Sequence, residues 1–289
     1  MKLGIYSHCT IDTIKIGDSS ERQIGGAACY CGITARQLKF KVELFTKFGG
    51  DFPAEYFQEN NISCKNALSE KPTTQFTLEI NGVERELYLK NSCEPLAYSE
   101  TDSDSILVSP LFFEISPETF QQIKENSNFV FLDPQGFVRS KDSQGKISLQ
   151  STDLNLSGVS AIKAGVDEIT SLTNNSGVDG MKILQKKGIQ YVLYTDRQFI
   201  SLLVSDKMYS LSLPNKKIHD TTGIGDIFSS TFACTILKEK DFLWALCFAA
   251  GSAQAALDSD KLGLAKIPSR GAIESNASYF YNTVKFKQA

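Results

Sequence analysis

Short apolar runs alternate with helical stretches along most of this chain, and that alternation limits the folds open to it. Strand-like runs fall at 3–7, 42–46, 106–108, 129–132, 161–164 and 191–194, with helical stretches near 27–38, 117–125 and 179–187 among them. Neighbouring parallel strands need a long crossover, which a helix supplies. The expected architecture over residues 1–289 is therefore α/β: a doubly wound, mostly parallel sheet flanked by helices. The last third reads as helical. Phe228, Phe232 and Ile236 repeat at i, i+4, i+8, and 242–257 is apolar nearly all round, so it should be buried.

One stretch breaks the pattern. Phe76, Leu78 and Ile80 alternate with polar residues, Asn81-Gly82 follows, and Val83, Leu87 and Leu89 alternate with charged ones. Asn-Gly between alternating runs signals a hairpin, because a type I′ turn needs two residues with positive φ. The expected register pairs Ile80 with Val83 and Phe76 with Leu87. With the extended early segment it would form a small β-sheet lid, about 11–24 plus 63–97, or a dimerisation sheet, and a plain surface hairpin has the same pattern. A monomer and a lid-mediated homodimer both stay open.

Charge and cysteine usage exclude several classes. With 30 basic and 33 acidic residues the net charge is −3, without a basic stripe for nucleic acid. The seven cysteines are scattered, no CxxC pair occurs, and His8 and His219 are the only histidines, so neither a disulfide framework nor a zinc site is expected. No signal-peptide pattern opens the chain, and 242–257 is too short and interrupted to span a bilayer, which needs about 20 apolar residues. A cytoplasmic protein with no membrane partner is expected.

The chemistry concentrates in Asp220-Thr221-Thr222-Gly223-Ile224-Gly225-Asp226. Two glycines flanking one residue let the backbone turn sharply, and a helix begins directly afterward. Its unpaired amides and positive dipole end would face one spot and form an anion hole. A carboxylate there would repel phosphate. Asp226 makes sense as the acceptor of a proton from a hydroxyl attacking phosphorus, although a simple dipole-complementing Asp would have the same spacing. At a helix N-terminus its pKa should be lowered.

The whole string resembles the DTTGAGD signature of the ribokinase-like (phosphofructokinase-B) sugar kinase family, with Ile224 in the middle position. Further matches follow in the family's order: Asp12 after the first strand, Gly25-Gly26-Ala27 at a helix entrance, Gly49-Gly50-Asp51, the Asn81-Gly82 hairpin, and Glu168 of an N-x-x-E motif. The resemblance covers most of the chain and implies an ATP-dependent phosphotransferase. It makes Asp226 the base and gives Gly223, Ile224 and Gly225 as donors to the transferring γ-phosphoryl. Asp12, Gly25 and Gly26 would bind the acceptor. Thr195, Arg197, Thr222 and Gly225 would meet the nucleotide, and Glu168 would hold Mg²⁺ through water. K⁺ near the Asp220 loop is a further implication the sequence leaves open. Two positions depart from the pattern: Gly165 replaces the asparagine of N-x-x-E, and Thr195–Ile200 lacks both glycines of T-x-G-x-x-G.

A finer likeness concerns Asp133-Pro134-Gln135-Gly136-Phe137-Val138-Arg139-Ser140. With Tyr30, Thr73-Thr74 and Ser109-Pro110 it resembles the archaeal myo-inositol kinases of that family. Gln135 offers a donor and an acceptor and Arg139 up to five donors, which suits a ring of hydroxyls. The alternatives are ribose, fructose or a nucleoside as acceptor, with Tyr30 or Phe137 against a base. A reading from another class is a sugar- or nucleotide-binding sensor without turnover.

Overall fold

Buried strands with crossover helices account for most of the chain, and the computed structural model describes residues 1–81, 84–214 and 220–289. The chain enters through β1 (Lys2–Tyr6), leaves for a hairpin of β2 (Thr10–Ile16) and β3 (Ser19–Gly25), and returns through α1 (Gly26–Gln37) to β4 (Lys41–Phe45). After α2 (Glu55–Glu59) and β5 (Ser63–Cys64) comes a second hairpin, β6 (Gln75–Asn81) and β7 (Glu84–Asn91). Then β8 (Ser105–Val108), α3 (Pro117–Glu125), β9 (Val130–Leu132), α4 (Gln135–Val138) and the small ribbon β10 (Arg139–Lys141) and β11 (Ile147–Leu149) lead to β12 (Ala161–Gly165). The remainder is α5 (Val166–Thr173), α6 (Gly177–Lys186), β13 (Tyr191–Asp196), β14 (Phe199–Val204), β15 (Lys207–Ser212), α7 (Ile224–Glu239), α8 (Phe242–Leu257), a 3₁₀ turn (Gly263–Lys266), α9 (Arg270–Thr283) and β16 (Lys285–Gln288).

The large sheet runs β16-β15-β14-β13-β12-β9-β8-β1-β4-β5. From β13 to β5 all pairings are parallel, and the order reverses direction between β1 and β8. Its central strands β1, β8, β9 and β12 are buried on both faces. Leu107 joins the core formed with α1, α7, α8 and α9, while its neighbours Ile106 and Val108 join the core under α3, α5 and α6. That is the pattern of a sheet with helices on both sides. Caps mark several helix starts. Ser116 accepts from Thr119 N with Pro117 following, and Asp241 accepts from Leu243 N and Trp244 N. Among the described residues no helix is long and apolar enough to cross a membrane.

The last third departs from its helical expectation. β14, β15 and β16 extend the sheet as antiparallel strands. The apolar run in β14 has no helix-length continuation, so pairing with β13 decides its conformation.

A separate four-stranded sheet, β3-β2-β6-β7, begins where the chain leaves the carboxyl end of β1. Its hairpin register differs from expectation: Phe76 pairs with Leu89, Leu78 with Leu87, Ile80 with Arg85 and Asn81 with Glu84. Moving the register by two residues sets Phe76 opposite Leu89 and Leu78 opposite Leu87, and places Arg85 opposite Ile80, from where it reaches Thr221. Gly82 and Val83 lie outside the described residues. The early part of the 63–97 segment goes elsewhere, with β5 at the edge of the large sheet beside β4.

Candidate active site

The loop from Asp220 to Asp226 sits at the start of α7. Gly223 caps that helix with φ 73°, and a Cβ there would lie 2.4 Å from the Tyr30 ring. Glycine is needed here for both the conformation and the close approach. Thr222 N donates to Asp220 Oδ1 at 2.8 Å, and Ile224 N turns inward to Thr221 O at 3.3 Å. Among the described residues the Gly223 and Gly225 amides have no acceptor. Of the three expected anion donors, two remain available and Ile224 is engaged in the turn.

Asp226 stands in the first turn of α7, partly buried, among charges from three strand ends. Its carboxyl is pushed up to about 7, first by burial, then by the Asp133 charge, against the pull of Lys163 and Arg139. This overturns the expected lowering, because burial beside other carboxylates outweighs the helix dipole. Asp133, just past β9, accepts from Lys163 Nζ at 2.7 Å and from Ser229 Oγ at 3.4 Å, while its Oδ1 is buried without a partner. Lys163 is nearly buried in β12, and a Cβ on Gly225 would lie 3.2 Å from its Nζ. Its ammonium therefore backs the same helix start. Burial would lower the Lys163 pKa, but the charges of Asp133 and Glu168 outweigh it and raise it.

The lid side carries Asp12 on β2. Its Oδ2 accepts from Thr10 Oγ1 at 2.8 Å, and its Oδ1 is buried without a partner. Burial pushes its carboxyl up to about 6, while Arg139 draws it down. Gly25 lies alongside, where a Cβ would be 2.7 Å from Asp12 Oδ2, and Gly26 opens α1 at φ 82° against His8 O. Arg139 donates Nη2–H to Gln135 Oε1 at 2.9 Å and Nη1–H to Leu111 O at 2.8 Å, and its guanidinium lies 5.9 Å from the ring centroid of Phe76 on the lid. The charge of Arg139 therefore acts on both Asp12 and Asp226. Tyr30 and Phe137, candidates to stack on a base, are instead core residues, 1% and 3% exposed.

Between lid and sheet opens a cleft of about 1560 Å³. Thr195, Arg197 and Thr222 line it, joined by Ile14 and Arg85 from the lid. Thr195 pairs with Gly165 across β12 and β13, so the two departures from the family pattern are neighbours. Arg197 and Gln198 form a two-residue turn closed by Asp196 and Phe199, with Arg197 at φ 52°. An arginine thus adopts the conformation that glycine would favour at this position of T-x-G. Glu168 accepts the Gly165 N–H at 2.6 Å, and burial raises its pKa against the pull of Lys163. No group of three or more His, Cys, Asp or Glu able to hold a metal ion occurs among the described residues.

Sequence reasoning gave Asp133 no role although it opens the motif at 133–140, and missed Lys163, Arg85 and Lys266. Lys163 left a signal, since a lysine inside an apolar strand needs a buried partner. Arg85 and Lys266 left none. The lid hairpin carries Arg85 to Thr221 Oγ1, and a remote turn carries Lys266 to Asp220.

The model of the pfkB family carbohydrate kinases matches residues 6–269. The fold is similar to a pyrophosphate-dependent ribokinase-family kinase solved with a pyrophosphate analogue and myo-inositol: 19% identity, TM-score 0.83, 94% of this chain and 99% of that one. It is also similar to Arabidopsis thaliana ribokinase complexed with ribose and ATP, at 16% identity and TM-score 0.76, over 95% and 98%. The Methanocaldococcus jannaschii nucleoside kinase matches at 16% and 0.74, over 96% and 98%. Curated protein sequences give no match.

Proposed function

Because the chain belongs to the pfkB family of carbohydrate kinases, a class that phosphorylates alcohol groups, we propose that it transfers the γ-phosphoryl group of ATP to a polyol hydroxyl, with myo-inositol the preferred acceptor. The observation that carries this is a polar cluster against the lid: Arg139 bonds Gln135 and lies 5.9 Å from the Phe76 ring of β6, and Asp12 on the adjoining β2 keeps a buried oxygen without a partner. The unpartnered, buried Asp12 Oδ1 is placed to accept from an acceptor hydroxyl, and Gln135 and Arg139 supply polar groups around the ring.

The acceptor hydroxyl would donate its hydrogen bond to Asp226, which orients an oxygen lone pair toward phosphorus. Phosphoryl transfer has a loose transition state, so positioning and charge stabilisation dominate and the proton moves late. The Gly223 and Gly225 amides, backed by Lys163, would steady the growing negative charge. Asp226, with its carboxyl near 7, is a better proton acceptor than an ordinary aspartate and keeps the proton at its carboxylate after transfer. The unpartnered Asp133 Oδ1 and the Glu168 carboxylate suit the water shell of a magnesium ion held by donor phosphates, whose bound charge offsets theirs. Lid closure would exclude water and suppress futile hydrolysis.

ATP is favoured as donor by the apolar end of the cleft. Phe199, 54% exposed, Leu213, Pro214, Leu257 and Leu262 line it and offer a platform for a base. Six of the seven cysteines are buried and all seven are free thiols, which suits a reducing cytoplasm.

The test is phosphoryl transfer from MgATP and from pyrophosphate to myo-inositol, ribose, fructose, adenosine and cytidine, with Asp226→Asn alongside. Turnover of myo-inositol with ATP, reduced about 10²–10⁴-fold in the variant, is expected. Preference for a nucleoside or another sugar refutes the acceptor reading, and preference for pyrophosphate refutes the donor. Binding without turnover in either donor series favours the sensor.

A further inference from the structure

Lys266 is a cation removed from water. It is 2% exposed, at the end of the 3₁₀ turn, and its Nζ donates to Asp220 Oδ2 at 2.7 Å and to the Asp220 carbonyl at 3.2 Å. The Tyr30 ring centroid lies 5.9 Å away. The same carboxylate accepts Gly263 N–H at 3.1 Å through Oδ2 and Thr222 N–H at 2.8 Å through Oδ1. One buried ammonium thus ties a carboxylate, a carbonyl and an aromatic face together at the first residue of the anion loop.

These are the groups that would surround a monovalent cation, and the family resemblance leaves K⁺ open at this loop. The residues present do not fit it. A potassium ion bound to Asp220 would compete with Lys266 for the same two oxygens and be repelled by its charge. We propose that the Lys266 ammonium is a tethered monovalent cation: it holds Asp220 so that the Thr222–Gly225 backbone stays aimed into the cleft, and the protein needs no K⁺. The tether makes occupancy independent of salt composition, because the cation is part of the chain. Its fixed charge lies behind the loop where phosphate charge is handled. Lys266 is therefore a positioning residue that acts through Asp220 and Tyr30. The catalytic part of this proposal rests on the kinase reading; the structural part does not.

The experiment measures thermal unfolding and turnover in chlorides of K⁺, Na⁺, NH₄⁺, Li⁺ and N-methylglucamine at equal ionic strength. Wild type should show the same unfolding midpoint and the same rate in K⁺ as in N-methylglucamine. Lys266→Ala should lose about tenfold or more in rate, as expected when a charged hydrogen-bond partner is removed. It should also gain a rise in midpoint and a partial recovery of rate in K⁺ or NH₄⁺ that Li⁺ and N-methylglucamine do not produce. Lys266→Gln, which keeps a donor and loses the charge, is read in parallel should the alanine variant not fold. Activation or thermal stabilisation of wild type specifically by K⁺ overturns the proposal. So does a folded charge-removed variant that responds alike to all five cations, which would make the pair a plain structural ion pair. The unfolding series needs no substrate, so it tests the tether even if the kinase reading fails.

Discussion

Arg85 on lid strand β7 donates a hydrogen bond to Thr221 Oγ1, which links the lid to the loop that starts α7. The two residues are 136 positions apart in sequence. Two other cations near this loop are already paired: Lys163 with Asp133, and Lys266 with Asp220. Arg85 instead comes from the lid side of the cleft and meets a neutral hydroxyl, next to the place proposed for donor phosphates.

Arg85→Ala should lower kcat/KM for the donor about 10–100-fold, in line with loss of a charge-assisted contact. Acceptor affinity should change little, since Asp12, Gln135 and Arg139 are untouched. Steady-state kinetics with each substrate varied in turn checks this. An equal loss for both substrates would assign Arg85 to lid folding alone.

The rate should depend on pH through the Asp226 cluster. Burial and the Asp133 charge hold the Asp226 carboxyl near 7, so the base is protonated below that value and kcat/KM falls as pH drops through about 7. Glu168, whose carboxyl burial also raises, lies in the same cluster and acts on Asp226, so the measured limb belongs to the pair. Asp133→Asn removes a negative neighbour and leaves Lys163 uncompensated. Both effects lower the Asp226 pKa, so the acid limb should move to lower pH in a kcat/KM profile.

The lid should not dimerise through its outer face. Ile14, Ile16 and Ile80 face the cleft, which leaves Lys15, Arg22 and Glu79 on the other side, where Lys15 and Glu79 pair at 3.1 Å. Glu86 likewise pairs with Lys146. Interface cores are depleted in charge, so light scattering should give the mass of one chain, 31.9 kDa. A dimer dissociated by Lys15→Glu or Arg22→Glu would refute this.

Much of this protein was legible in one dimension because the relevant forces act locally. The period of the apolar residues reports α/β layering, since each strand or helix must hide one face or both. The Gly223-Ile224-Gly225 turn is readable because positive φ and a helix start are properties of adjacent residues. β14 to β16 were missed for the converse reason: an apolar run without helix-length periodicity takes its conformation from the strand it pairs with. The hairpin at Asn81-Gly82 was visible, but its register depended on which apolar side chains met across the ribbon.

The site divides in the same way. Sequence alone marked the candidates that short motifs can encode: Asp226 after its glycines, Asp12 after the first strand, and Gln135 and Arg139 a helical turn apart. Tertiary structure decided what those groups experience. Only folding places Asp133 and Lys163 around Asp226, which reverses the direction of its pKa shift. Only folding brings Lys266 under Asp220 and Arg85 over Thr221. Coulombic interaction depends on distance in space and on exclusion of water, and neither is a function of separation along the chain.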